Sequence, residues 1–218
     1  MASFLVIGLG RFGRVVATEL YKMKHDVLAL DEREEYVSGI AECVTNVVIG
    51  DARDEAVLRS LGVENFDCAV VAIGSAVEDN VLITIMLKEM GVKKVVCRAQ
   101  NEWHAKILSQ IGADRVIRPE YDMGKRVAQS LAQKNIIDHL EISPEHSIIE
   151  INTPSHWADK CIKNINVRRR YGISVVAITR AETGEVKFLP NADTVLKSGD
   201  VLTVIGFTKD LDKISALK

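Results

Sequence analysis

The chain alternates short apolar runs with amphipathic stretches almost from its first residue. Phe4–Ile7, Val27–Leu30, Val47–Ile49, Cys68–Ala72, Val95–Cys97 and Arg115–Ile117 are brief and mostly apolar. Between them, helical patterns cover Arg14–Lys22, Asp54–Leu61, Asn80–Met90 and Glu102–Ile111. Strands that read as unbroken apolar runs are buried on both faces, and strands alternating with helices connect in parallel. The N-terminal half therefore predicts an α/β fold: a Rossmann-type, doubly wound parallel sheet with helices on both faces.

The pattern then changes. A long helical stretch is predicted from Tyr121 to Asn135, with Met123, Val127, Leu131 and Ala132 near helical spacing. Ile136–Leu140 continues it in a more apolar register, either packing in the chain's own core or forming a dimer seam. After Ile142-Ser143-Pro144, strands are predicted at Ser147–Ile151, Ser174–Ile178, Val186–Phe188 and Val201–Gly206. A short helical or turn region spans Ala158–Ile165, a hairpin turn spans Glu182–Glu185, and a final helix runs from Lys209 to Leu217. This second piece reads as a small α+β unit. The expected division is 1–140, a nucleotide-binding domain with its crossover helix, and 141–218, a C-terminal subdomain.

The first strand leads into Gly8-Leu9-Gly10-Arg11-Phe12-Gly13, and the second ends on Asp31. Strand, glycine turn, helix, strand and terminal carboxylate together form a mononucleotide-binding fingerprint. Gly8 permits a tight turn, Gly10 lets the main chain approach a phosphate, and Gly13 lets helix and strand pack closely. The helix start offers unpaired N–H groups and a positive dipole end. Asp31 can accept hydrogen bonds from ribose hydroxyls, which favours an unphosphorylated 2′ position.

Other residues at the same strand ends carry chemistry. Arg11 either binds phosphate oxygens or is a solvated loop arginine. Gly50-Asp51-Ala52 follows the third strand, where such residues line an adenine pocket; Asp51 also suits a helix cap. Ala72-Ile73-Gly74 ends the fourth strand at the carboxyl edge, where ligands bind in open α/β sheets. Arg98 and Glu120, past the fifth and sixth strands, suit either a terminal phosphate with a divalent ion or an exposed salt bridge.

Composition narrows the class. The chain has 218 residues, 47% of them apolar, and a formal net charge of -2, which argues against a dedicated nucleic-acid binder. Cys43, Cys68, Cys97 and Cys161 are scattered, which suits reduced cysteines in a cytosolic protein. Met1-Ala2-Ser3 leads straight into the first strand, with no signal peptide expected, and no apolar run is long enough to span a bilayer. The five histidines, His25, His104, His139, His146 and His156, are isolated, His104 on an apparent surface helix. No nucleophile motif is present, so binding is favoured over catalysis. The rival reading is a small NAD-dependent oxidoreductase, which shares the glycine fingerprint and Asp31. Arg168-Arg169-Arg170 is read as a solvated face in preference to an anion site. Trp103 and Trp157 are expected to pack.

Several of these segments together resemble one family. The glycine loop, Val71-Ala72-Ile73-Gly74, Arg98–Asn101, Ile111–Asp114 and Pro119–Gly124 resemble the N-terminal half of RCK domains, regulators of potassium conductance. Asn166-Val167-Arg168, Tyr171-Gly172 and Ser198-Gly199-Asp200 resemble the C-terminal RCK subdomain. The likeness is greatest to cytosolic regulatory subunits of Ktr-type and Trk-type potassium transporters.

The resemblance implies homodimers assembled into an octameric ring, docked on the cytoplasmic side of a membrane potassium-transporter subunit. It implies a nucleotide, ATP, ADP or NAD(H), in the N-terminal domain. Carried over, Asp31 holds the ribose and Arg11 the terminal phosphates. Glu120 reaches a divalent ion, magnesium or calcium, in its own or a neighbouring subunit's site. Arg98 stands where close relatives carry lysine. Some Ktr subunits bind cyclic di-AMP in the second subdomain. Ile162, Arg168 and Pro190 match that site, while Lys163 replaces an aliphatic residue.

Overall fold

The computed structural model describes residues 1–74, 76–132 and 136–215. Its contacts divide the chain into two compact units, Met1–Tyr121 and Asp122–Lys218.

The first unit alternates strand and helix: β1 (Ser3–Ile7), α1 (Arg11–Lys22), β2 (Asp26–Asp31), α2 (Glu34–Ser38), β3 (Asn46–Ile49), α3 (Glu55–Ser60), β4 (Cys68–Val71), α4 (Val77–Glu89), β5 (Val95–Arg98), α5 (Glu102–Gln110) and β6 (Arg115–Ile117). The six strands are parallel and ordered β3-β2-β1-β4-β5-β6. The predicted doubly wound sheet is present. Alternation along β1 shows why both faces need cover: Leu5 and Ile7 join one buried cluster, Val6 the other. The winding reverses between β1 and β4, and there the strand ends part into a crevice.

Local differences from the sequence pattern have plain causes. Helix α1 begins at Arg11, because Gly10 already serves as its N-cap. The short α2 was not anticipated, since five residues are too few to show a helical period. Pro119 opens α6 (Pro119–Ala132), a position where its missing N–H costs nothing.

The helical reading of Ile136–Leu140 is corrected. These residues belong to β7 (Ile136–Ser143), antiparallel to β8 (His146–Asn152). Ser143 pairs with His146, so Pro144-Glu145 is the turn of a hairpin, and adjacent β-branched residues at 136 and 137 suit a strand. The expected helix ends at Asn135 and Leu217 lie outside the described residues.

In the second unit, β8 is followed by α7 (Ile162–Ile165), α8 (Val167–Tyr171), β9 (Ile173–Thr179), β10 (Val186–Phe188), β11 (Val201–Phe207) and α9 (Thr208–Ser215). The sheet is antiparallel, ordered β10-β9-β11-β8-β7. Trp157, Ile149, Ile151, Ile178, Leu202 and Leu211 share its core, so the expectation for Trp157 holds. Trp103 instead lies exposed on α5.

One buried carboxylate organises the turns of this unit. Asp200 is 1% exposed and accepts from the N–H groups of Lys197 (2.9 Å) and Ala181 (3.2 Å) and from Arg180 Nη1 (2.5 Å). It thereby ties the turn after β9 to the turn before β11. Asp200→Asn should cost roughly 2–4 kcal/mol by leaving donors and a half-buried guanidinium without their anion. A urea midpoint unchanged from wild type would show that the turns close without it.

Candidate functional site

The crevice is built on a backbone that approaches its neighbours too closely for side chains. Gly8 has φ +90°, and a Cβ there would meet Ile73 Cγ1 at 2.9 Å and Ile73 N at 3.1 Å. A Cβ on Gly13 would lie 1.9 Å from the Gly8 carbonyl oxygen. Gly10 differs: a Cβ there would meet nothing within 4 Å. The first turn of α1, whose N–H groups have no intrahelical acceptors, thus opens beside Gly10 onto free space.

Asp31 holds this turn in place. Its side chain accepts from the Leu9 N–H at 2.6 Å through Oδ2 and from the Arg33 N–H at 2.9 Å through Oδ1. At 7% exposure it still borders the cavity, but much of its acceptor capacity is used within the chain.

The cavity has a volume of about 680 Å³, within the range of small-molecule sites. Of the residues named from sequence, Gly8, Gly10, Asp31, Asp51, Ala52, Ala72, Ile73, Gly74, Arg98 and Glu120 line it. Arg11, Phe12 and Gly13 do not. Gly13 is buried beneath the loop, and Phe12 is half-buried. Arg11 is exposed at the start of α1 with no polar partner among the described residues.

Two arginines hold the rim. Arg98 Nη2 donates to Glu120 Oε1 at 2.5 Å, and its guanidinium fills the space over Gly74. The Glu120 carboxyl is held below its ordinary value first by its own N–H at the start of α6, with Arg98 adding to this against desolvation. At the other end, Arg53 is bound by Asp51, Glu32 and Asp79. The Arg53 side-chain bonds hold the Asp51 carboxyl below its ordinary range.

Sequence reading missed Glu32, Arg33, Arg53, Asp79 and Gln100 in the wall. Three of the five, Glu32, Arg33 and Gln100, stand within two residues of a strand end, which is the signal that could have found them. It also missed Asn80, fully buried, whose amide donates to the carbonyls of Ile73 (2.8 Å) and Arg98 (2.9 Å) and fixes the tips of β4 and β5. His104 is not on the surface: it is buried, its Nδ1 accepts the Gln100 N–H at 3.3 Å, and burial lowers its pKa.

Glu120 alone does not make a metal centre. Its carboxylate is paired with a guanidinium, and among the described residues no group of three His, Cys, Asp or Glu could hold an ion. The residues named for a second ligand lie on three segments of the other unit. Ile162 begins α7, Arg168 on α8 donates to Ser174 Oγ at 3.2 Å, and Pro190 follows β10. The Arg168–Arg170 run is exposed, as expected of a solvated face.

Comparison with known proteins then decides the family. Residues 4–119 match the TrkA-N domain and residues 146–218 the TrkA-C domain. The chain is 42% identical to Ktr system potassium uptake protein C of Bacillus subtilis over 97% of its length and 95% of the relative's. It is 40% identical to protein A of the same organism, over 97% and 94%.

The chain belongs to the Ktr family of potassium-uptake proteins.

It is therefore a non-enzymatic regulatory subunit built of RCK domains, working with a membrane potassium transporter. The oxidoreductase reading is set aside. No helix among the described residues is long and apolar enough to cross a membrane. The fold matches the GsuK channel bound to NAD with a TM-score of 0.69 at 19% identity, over 99% of this chain and 39% of that one. GsuK bound to ADP matches with a TM-score of 0.53 at 16% identity, over 62% and 36%.

The glycines of this Ktr subunit separate packing from access. Gly13→Ala should lower stability by at least about 2 kcal/mol, because the clash is with backbone. Gly10→Ala should change it by no more than about 0.5 kcal/mol. Equal melting temperatures for the two variants would refute the close-packing account of the loop.

Proposed function

We propose that the crevice binds an adenine nucleotide, ATP or ADP, and that the bound nucleotide sets the state in which this subunit holds its membrane partner. The observation that carries the reading is the free N-terminal turn of α1 opening beside Gly10 into a cavity of nucleotide size. In this reading the phosphates lie over Gly8–Gly13, the ribose lies by Asp31, and the base lies toward Asp51 and Ala52. Ala72–Gly74 form the opposite wall. The NAD and ADP bound by GsuK, a protein of the same fold, support the nucleotide class, and NAD(H) is the second ligand to test.

A ligand shifts a two-state assembly only through unequal affinity for the two states. ATP and ADP differ by one phosphate. Arg11 supports a sensing role because it stands at the phosphate end with no internal partner. Arg98 could join only by loosening its pair with Glu120. A coupling of about 1–3 kcal/mol would suffice for regulation. No step is assigned to a divalent ion.

The subunit works as homodimers in an octameric ring, peripheral on the cytoplasmic face of the membrane through its transporter. Support within the chain is the row Met123, Val127 and Leu131 on α6, all exposed, which a second copy would cover. Cyclic di-AMP is retained as a second ligand at Ile162, Arg168 and Pro190; the exposed Arg168 guanidinium is its supporting feature.

A thermal-shift panel of ATP, ADP, NAD, NADH and cyclic di-AMP tests the reading. A ligand at a hundred times its Kd stabilises the folded chain by about 2.7 kcal/mol. ATP and ADP should raise the melting temperature, and no shift from any nucleotide would end the proposal. Arg11→Ala should narrow the ATP–ADP difference; full discrimination in the variant would remove Arg11 from the sensing role.

A further inference from the structure

We infer that Arg53 is the residue that grips the base in this crevice, and that it selects purine over pyrimidine nucleotides by offering the flat face of its guanidinium. The inference rests on the nucleotide reading above.

Arg53 sits in the turn between β3 and α3, and Asp51 holds it there like a fork. Its Nε donates to Asp51 Oδ1 at 2.8 Å and its Nη2 to Asp51 Oδ2 at 2.8 Å. Its Nη2 also reaches Glu32 Oε2 at 3.1 Å, at the end of β2. Its Nη1 reaches Asp79 Oδ2 at 3.4 Å, in the first turn of α4. All four residues line the cavity.

The pattern of these bonds decides what Arg53 can do. Guanidinium hydrogen bonds lie in the plane of the group, at its edges. With Nε, Nη1 and Nη2 each engaged by a carboxylate, Arg53 has little left to donate to a phosphate. What remains is a planar cation whose orientation is fixed. Such a face attracts a π-system laid against it.

Position agrees with chemistry. The phosphate end of the crevice is at β1 and α1, and β3 lies two strands away in the sheet order, roughly 10 Å. With the ribose by Asp31 at the end of β2, as proposed above, the base extends in that direction. No aromatic side chain lines the cavity among the described residues, so the base has no ring to stack on. Two other arginines compete for the role. Arg33 already lies 3.8 Å over the Tyr36 ring, and Arg98 is at the far rim with Glu120. Arg53 is the one of the three whose plane is held at the base end by three carboxylates.

Titration calorimetry of ATP and CTP with the full chain tests this, using wild type, Arg53→Lys and Arg53→Ala. CTP keeps the triphosphate and an exocyclic amine but presents a smaller ring. Wild type should prefer ATP. Both variants should lose about tenfold in ATP affinity while CTP changes little, so the preference collapses. Lysine keeps the positive charge among the three carboxylates but has no flat face, so full ATP affinity in Arg53→Lys would overturn the inference. Equal losses for ATP and CTP would overturn it too, because Arg53 would then act on the phosphates or the wall. If wild type binds neither nucleotide, the crevice reading itself fails, which is distinct from a variant that binds like wild type.

Discussion

The Leu9 N–H and the Asp31 carboxylate meet at 2.6 Å, and the form of the crevice follows from that contact. The bond joins the turn after β1 to the end of β2 while Gly8, at φ +90°, passes against Ile73 after β4. Three strand ends are thus locked around one tight turn. Helix α1 can leave that turn only in one direction, with its unpaired N–H groups facing the gap where the sheet reverses. An ionised acceptor in a nearly buried position makes a strong bond, roughly twice a neutral one. The same bond limits Asp31 as a ligand group. An aspartate that positions the loop has fewer lone pairs left for a ribose than the sequence pattern alone suggests.

How much was legible follows from which interactions are local. The six strands of the first sheet were readable because burial on both faces forces continuous apolar runs, as in Cys68–Val71. The glycine loop was readable because Gly8 and Gly13 answer contacts made within one strand–turn–helix unit and with β4. Strand β7 was not, because Ile136 and Ile137 adjoin a helical pattern. Their true partner, β8, is recognisable only once Pro144-Glu145 is seen as a hairpin turn. Asn80 and Arg53 were hidden for another reason. Each is polar in a stretch where polar residues usually face solvent, and each acquires meaning from elements distant in sequence. Asn80 bonds the ends of β4 and β5, and Arg53 bonds carboxylates just after β2 and on α4.

The charges at the rim are mostly spent on one another. Arg98 is engaged by Glu120, and Arg53 by Asp51, Glu32 and Asp79. Exposed pairs of this kind contribute little to stability, about 0–1 kcal/mol each. In the proposed nucleotide reading their effect is on selectivity. A ligand phosphate that recruits Arg98 must first displace a carboxylate, and it gains only the difference between two ion pairs. Arg11 and the N–H groups of α1 carry no such cost. In the nucleotide reading proposed above, the crevice separates its tasks by charge state. On that proposal the free donors at the α1 end would respond to one phosphate more or less, and the compensated arginine at the β3 end to shape. In the same reading, that division would let the subunit hold both a di- and a triphosphate by the same nucleoside and still distinguish them, which a switch between two occupied states requires.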